Sequence, residues 1–219
     1  MATQYAFGKI VTNGLVLSLD AADKNSYPGS GTTWRDLSGN GNTGTLTNGP
    51  TFSNNSIVFD GVDDRVQTNY GPQFGDFTTC IWFKPTAITN FGRLIDKSYT
   101  NGFWLGRYGS SSTFGGGIKE TVDPYGIYLS LSENNWHFLA SIRSGTTHIL
   151  YADGITNTTS NTVTSTLLDS TTIAFGNWSG GTTNQLFTGN IPSIQIYNRA
   201  LSPSEILQNY NAQKSRFGL

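Results

Sequence analysis

Charge is the scarcest commodity in this sequence. Only 12% of its 219 residues are Asp, Glu, Lys or Arg, and 13 basic residues against 14 acidic ones leave a net charge of −1. Lys and Arg occur as isolated singles, so a basic face able to neutralise phosphates is excluded, and with it nucleic-acid binding. Cysteine is almost absent. Cys80 stands alone, which rules out an intrachain disulfide, and inside the apolar run of residues 77–83 it reads as a small buried hydrophobe. The two histidines, His137 and His148, follow no metal-ligand spacing. No apolar run is long enough to cross a bilayer, and the first residues lack the basic and apolar regions of a secretion signal. The expectation is a soluble chain with no membrane insertion.

What the sequence has in abundance is Thr, Ser, Asn and Gly, 97 residues in all. Thr suits a pleated, half-buried surface, while Gly and Asn supply the positive-φ positions of tight turns. Aromatics at 13% give enough apolar surface for a core. This length fits one all-β domain.

Alternation places strands at about 15–19, 56–59, 66–68, 77–84, 94–95, 102–107, 117–118, 127–131, 135–142, 148–152, 171–175 and 191–197. Segment 77–84 is apolar on both faces, with Phe77, Ile81 and Phe83 on one and Cys80 and Trp82 on the other, which marks it as central. Asp153-Gly154 after a strand predicts a type I′ hairpin. Gly115-Gly116-Gly117 reads as a turn, and Trp34, among Gly-rich loops, as a plug at one end of the sandwich. The period changes at Ser202. With Pro203 at the first helical position and Glu205 at the third, a capping box starts a short helix over 203–211, expected to close one edge of the sandwich.

Several of these segments carry a family resemblance. Phe59-Asp60-Gly61-Val62-Asp63-Asp64, the strand with Trp136-His137 followed by Tyr151-Ala152-Asp153-Gly154, and Ile196-Tyr197-Asn198-Arg199-Ala200-Leu201-Ser202-Pro203-Ser204-Glu205 together resemble laminin-G-like modules of the concanavalin A-like superfamily. Gly14–Asp23 and Tyr210-Asn211-Ala212 resemble the stand-alone form carried by tailed bacteriophages. The resemblance spans residues 13–212 and implies a two-sheet antiparallel jelly-roll sandwich with one short C-terminal helix, flanked by an arm (1–12) and a tail (213–219). It further implies a virion structural protein, a decoration or fibre-associated subunit on capsid or tail, made in the bacterial host cytoplasm. Its partners would be other virion proteins and further copies of itself, and Tyr5, Phe7, Arg216 and Phe217 in the two tails would supply the assembly contacts. The alternative is a glycan-binding module for adhesion to bacterial surface polysaccharide.

Candidate chemistry is sparse. Hydrolytic relatives place two Glu on one strand at a two-residue spacing; here only Glu120, Glu133 and Glu205 exist, none so spaced. A Ser nucleophile elbow is also missing, so no enzyme is expected. Asp60, Asp63 and Asp64 cluster carboxylates as calcium requires, and some laminin-G-like modules hold structural Ca²⁺ near such a turn. Pro192 stands where many relatives carry an acidic residue, which weakens that reading. Otherwise Asp60 and Asp63 would satisfy turn amides while Asp64 pairs with Arg65 or Arg35. For sugars, Trp104, Tyr108 and Trp178 could act as aromatic platforms beside Asn177 and Asn101, Trp178 being the most exposed; as plain structure they would be core and loop plugs.

Overall fold

A computed structural model describes residues 8–71, 75–98, 102–118, 126–162, 171–179 and 185–219, the side chains of 155–162 excepted. In chain order the strands are β1 (Leu15–Asp20), β2 (Thr33–Trp34), β3 (Gly44–Thr47), β4 (Thr51–Ser53), β5 (Ser56–Asp60), β6 (Arg65–Thr68), β7 (Phe77–Pro85) and β8 (Arg93–Lys97). They continue as β9 (Phe103–Arg107), β10 (Thr113–Ile118), β11 (Ile127–Ser130), β12 (His137–Ser144), β13 (Thr147–Ala152), β14 (Ile155–Thr162), β15 (Ala174–Phe175) and β16 (Thr188–Tyr197), before helix α1 (Pro203–Gln213) and a 3₁₀ turn at Lys214–Phe217.

These strands form two antiparallel sheets. The back sheet runs β14-β13-β12-β7-β16-β5-β4, with β1 also paired to β16; the front sheet runs β11-β10-β9-β8-β15-β6-β3-β2. This is the two-sheet antiparallel jelly-roll sandwich that the resemblance implies. Alternation in β7 works as the sequence suggests. Phe77, Ile81 and Phe83 point into the core between the sheets with Ile194 and Ile196 of β16, while Cys80 and Trp82 point outward into a second cluster with Phe138, Ala140 and Ile142 of β12. Burial raises the Cys80 thiol to about 12, so it stays protonated. Asp153 and Gly154 both take positive φ, 50° and 74°, as a type I′ turn requires.

The second cluster is what α1 is for. The helix lies on the outer face of the back sheet, which corrects the expectation that it closes an edge: an outward Trp82 cannot be left in water, and Tyr210 stacks on it at 5.4 Å. The capping box is present, with Ser202 accepting from the Glu205 N–H and the Glu205 carboxylate accepting from the Ser202 N–H. Glu205 also takes a two-pronged ion pair from Arg199, at 2.9 and 2.6 Å, which holds its carboxyl down to about 2. Arg199 Nε then donates to the Asn13 carbonyl. A Cβ on Gly14 would stand 3.0 Å from that Arg199 side chain.

The C-terminal tail, expected to supply assembly contacts, is packed on its own domain. Phe217 packs at 4.3 Å on Trp82 and 4.8 Å from Trp136, and Arg216 makes two 2.8 Å hydrogen bonds to Asp20. At the other end, the Val11 N–H donates to Asn209 Oδ1 and the Val11 carbonyl accepts from Tyr197 Oη. The packed body therefore reaches from Val11 past Arg216, beyond the expected limits of 13 and 212. Tyr5 and Phe7 lie outside the described residues.

One further expectation changes: Gly115, Gly116 and Gly117 sit inside β10 and form no turn. Trp34, on β2 at the end of the front sheet, is wholly buried among the core residues. Strands β2, β3, β4 and β14 have no counterpart among the predicted strands.

Phe217→Ala removes a ring clamped between two tryptophans. It is expected to lower stability by about 2 kcal/mol, less than the full cost of a buried Phe because the ring is half-buried; urea unfolding measures it.

Candidate functional site

Strand register decides which aromatics can meet a ligand. On the outer side of the front sheet Trp104 lies between Asp96 of β8 and Gly117 of β10, and Tyr128 lies opposite Gly115. Both rings fold down onto the glycine beside them: a Cβ on Gly117 would come within 2.5 Å of Trp104 Nε1, and one on Gly115 within 2.6 Å of Tyr128 Cδ1. The Arg93 guanidinium covers the Trp104 ring at 4.2 Å. Trp104 is thus only 7% exposed. That overturns its expected role as a platform: glycine below and arginine above leave neither ring face for a sugar.

Tyr108 is different, at 47% exposed. Its ring centre stands 4.3 Å from Tyr128 and 5.7 Å from Phe91, which meets it edge-on. Tyr128 continues the row to Trp104 at 6.1 Å. Phe91 holds its place with φ of 53°, left-handed backbone that bulky side chains rarely adopt and that tends to persist at functional sites. Around the row runs a polar rim in which Ser110 Oγ donates to Asn90 Oδ1 and Ser111 Oγ to the Tyr108 carbonyl.

One buried arginine positions this rim. Arg107 donates to the carbonyls of Ala87 and Ser111 and stacks on Phe114 at 4.6 Å. Its guanidinium also lies 2.7 Å from the Glu133 carboxylate, a charge contact without hydrogen-bond alignment. Three loops around Tyr108 are thereby tied to one fixed cation. Phe91, Tyr128 and Arg107 were not singled out by the sequence reading. For Tyr128 the available signal was the glycine spacing in β10, since Gly115 leaves room for its ring; Phe91 and Arg107 carried none.

The other expected sugar contacts fare differently. Asn177 is buried, its Oδ1 accepting from the Trp178 N–H, so it is a loop-forming residue and cannot reach a ligand. Trp178 is half-buried, in a loop anchored where Ser179 donates to Asp96 through both N–H and Oγ. Asn101 lies outside the described residues.

Asp60, Asp63 and Asp64 do come together, with one carboxylate oxygen from each within 4.8 Å of the others. Asp60 Oδ1 accepts from the Val62 N–H and Asp64 Oδ2 from the Asp60 N–H. Asp64 makes no ion pair with Arg35 or Arg65 among the described residues, and its Oδ1 is buried without a hydrogen-bond partner. Burial, with the neighbouring Asp60 and Asp63 charges adding to it, raises its pKa from 3.8 to about 6. A carboxylate left unpaired in this way fits a bound cation. The register also alters the argument about Pro192. Thr188 is the residue of β16 opposite Asp60; Pro192, four residues on, is about 13 Å along the strand, and its carbonyl accepts from the Ala21 N–H. Its identity therefore has no bearing on the cluster.

One arrangement imitates a hydrolytic triad. His137 Nδ1 lies 2.8 Å from Asp153 Oδ2, and Nε2 lies 3.3 Å from Ser132 Oγ. Nε2 is nearer still, at 3.0 Å, to the Ser132 carbonyl, which can only accept, so this nitrogen must carry a proton and cannot take one from the hydroxyl. Burial opposes charging His137, but the hydrogen bond and charge of Asp153 outweigh it and the pKa is raised. The site is a structural imidazolium clamp. His148 is its opposite: buried against Ser141 at 2.7 Å and pushed down to about 4, it stays neutral.

The comparisons with known proteins agree with this architecture. A family model described as the concanavalin A-like lectin/glucanases superfamily (laminin G 3) matches residues 60–207. The chain belongs to that superfamily. No curated protein sequence matches it. Solved structures that share the superfamily chain's fold include the botulinum neurotoxin serotype D binding domain, at 17% identity and a TM-score of 0.73, covering 93% of this chain and 53% of that one. Another is botulinum neurotoxin type C, which depends on interaction with two ganglioside molecules to get into cells (18%, 0.66, 92% and 52%). A third is a mutant Trypanosoma rangeli sialidase with trans-sialidase activity (17%, 0.70, 97% and 35%). The chain spans about half the length of the toxin structures and a third of the sialidase. At such identities the likeness is one of fold.

A carboxylate whose pKa is raised on folding favours the folded state fully below 3.8, and that contribution is lost as pH rises through about 6. In EDTA, Asp64→Asn is expected to abolish this fall and to be more stable than the parent above pH 6, read from thermal melts across the range.

Proposed function

We propose that this chain is a non-enzymatic carbohydrate-binding module whose contact surface is the aromatic row Phe91, Tyr108 and Tyr128 with its Asn90 and Ser110 rim. The observation that carries this reading is the half-exposed Tyr108 ring, braced by two aromatics and framed by loops that Arg107 fixes. Exposed aromatic faces pack on the C–H faces of sugars, while amide and hydroxyl groups at the rim bond their hydroxyls. The ganglioside dependence of one toxin that shares the fold supports the same direction. Catalysis has no support in the carboxylates: Glu133 faces Arg107 and Glu205 faces Arg199, and Glu120 lies outside the described residues. The virion placement implied by the resemblance is compatible, with the module displaying its aromatic row from a particle. Attachment would then rest on the part of the N-terminal arm that precedes Lys9, because Lys9 and Val11, like Arg216 and Phe217, are engaged within the domain.

A glycan array probed with the whole chain is expected to give saturable, sugar-dependent binding that Tyr108→Ala reduces about five- to tenfold, since one aromatic contact of this kind contributes on the order of 1–1.5 kcal/mol. Binding indifferent to Tyr108 would sink the assignment.

We further propose that Asp60, Asp63 and Asp64 hold a structural Ca²⁺, which would neutralise the buried Asp64 charge and stiffen the turn from β5 to β6. Excess Ca²⁺ is expected to raise the melting temperature at neutral pH relative to EDTA, and Asp64→Asn to erase the difference. A parent melting temperature the same in Ca²⁺ and in EDTA would rule this out.

A further inference from the structure

The connection from β11 to β12, residues 131–136, touches both a buried histidine and the rim of the aromatic row. The Leu131 N–H donates to the Ser112 carbonyl at 2.9 Å and the Asn134 N–H to the Pro85 carbonyl at 2.7 Å, so the connection is tied to the rim loop after Tyr108 and to the end of β7. Between these ties the Glu133 carboxylate lies 2.7 Å from Arg107, the cation that holds the Ala87 and Ser111 carbonyls. Its neighbour Ser132 places its carbonyl 3.0 Å from His137 Nε2. The histidine and the arginine also share one packing, because the Phe83 ring lies 5.9 Å from the imidazole and 5.1 Å from Phe114, on which Arg107 stacks.

Both ring nitrogens of His137 face acceptors. Nδ1 lies 2.8 Å from Asp153 Oδ2 and Nε2 faces the Ser132 carbonyl, while a neutral imidazole has a single N–H to give. Only the doubly protonated ring satisfies both. When it loses a proton one contact has to go, and the surroundings decide which. Asp153 is fixed, since its Oδ1 accepts from the Phe138 N–H and its own N–H donates to the Phe138 carbonyl, and its bond to Nδ1 is charge-assisted. Nε2 therefore gives up the proton and turns a lone pair on the Ser132 carbonyl. The donor at hand is Ser132 Oγ, 3.3 Å from Nε2, so residue 132 has to present its hydroxyl in place of its carbonyl. Among the described residues the other charged groups on this side are Glu133 and, against it, Arg107 of β9. Lys84 of β7, the strand paired with β12, lies instead over Trp136 at 6.0 Å. Burial works against a charge on His137, but the Asp153 hydrogen bond and charge, the Ser132 carbonyl and Glu133 outweigh it, and the pKa is raised.

We propose that His137 is a pH-sensitive latch for the aromatic row: as an imidazolium it pins the Ser132 carbonyl and keeps the rim in its binding shape, and on losing a proton it lets residues 131–133 shift and the rim loosen. The shift reaches the rim through the Leu131–Ser112 hydrogen bond and the Glu133–Arg107 contact. The inference rests on the reading of that row as the contact surface, while the latch itself is tested without a ligand. With the pKa raised from 6.5, the latch is closed below 6.5 and opens as pH rises through the raised value. A sugar that needs the closed rim raises that value further, because such coupling is reciprocal.

The test is a pH titration of the ¹⁵N-labelled whole chain, reading the ring nitrogens of His137 and the amides of Ser111, Ser112, Leu131 and Ser132. The chain has only two histidines, and His148, pushed down to about 4, is silent above that range. Nε2 is expected to lose its proton while Nδ1 keeps its own, with one midpoint shared by the ring and the four amides. Above that midpoint the Leu131 N–H should exchange about tenfold faster than the ordinary rise with pH. Asp153→Asn keeps an acceptor for the Phe138 N–H and tolerates the positive φ; it should carry ring and amides together to a lower midpoint. Asp64, which titrates at about 6, is told apart because its midpoint does not respond to that change. The glycan array repeated on both sides of the midpoint should lose Tyr108-dependent signal about fivefold at the higher pH. The proposal is overturned if neutral His137 keeps its proton on Nε2, if the Ser111 and Ser112 amides do not follow the ring in the parent and in Asp153→Asn, if Leu131 exchange shows no added rise, or if Tyr108-dependent binding is equal on both sides. An array with no Tyr108-dependent signal sinks the reading of the row alone, and the titration then decides whether His137 controls these loops.

Discussion

Everything in this molecule depends on β7 being apolar on both faces. One face is buried by the front sheet, as in any sandwich. The other carries Trp82 outward, and a tryptophan facing water on an interior strand has to be covered by something the sandwich itself does not supply. The chain supplies it from its own end, with Tyr210 and Phe217 stacked on that one indole. The capping box, the Arg199–Glu205 pair and the Asp20–Arg216 pair then hold the cover in place. The C-terminal segment thus occupies the outer face of the back sheet, and the aromatic row lies on the other side of the sandwich, at the end of the front sheet where Tyr108 follows β9.

How far the sequence revealed this depends on the range of the interaction concerned. Local signals read true: the two faces of β7, the Asp153-Gly154 turn and the box at Ser202 each depend on residues within a few positions. The accessibility of a tryptophan depends instead on what register sets beside it. Trp104 is covered because Gly117 and Arg93 flank it, and those neighbours come from two other strands. Asn177 is a similar case, consumed by its own loop. Short strands such as β2 and β4, with only two or three residues each, carry no period to detect. The Asp cluster was legible as a cluster, but its geometry relative to Thr188 rather than Pro192 required the pairing of β5 with β16.

The ionisable groups divide by how the fold treats their charge. Glu205, Arg199, Asp20 and Arg216 are paired at the surface and pin segments together. His137 is kept charged by Asp153, and His148 is kept neutral by burial. Asp64 is the outlier, a carboxylate carried into the interior with one oxygen bonded and the other bare. In a chain with so few charges, one left unsatisfied is a stronger pointer to an external partner than it would be in an ordinary surface.

The closing of the back sheet by the C-terminal segment has a geometric corollary. Val11 and Phe217 pack in the same outer cluster, so the two ends of the folded body emerge side by side on one flank, and the aromatic row faces away from them across the full thickness of the sandwich. Any body joined to either end, whether a covalent neighbour or a larger assembly, would sit behind the module and leave Tyr108 pointing outward. The same cover that keeps Trp82 dry thus gives the molecule a front and a back.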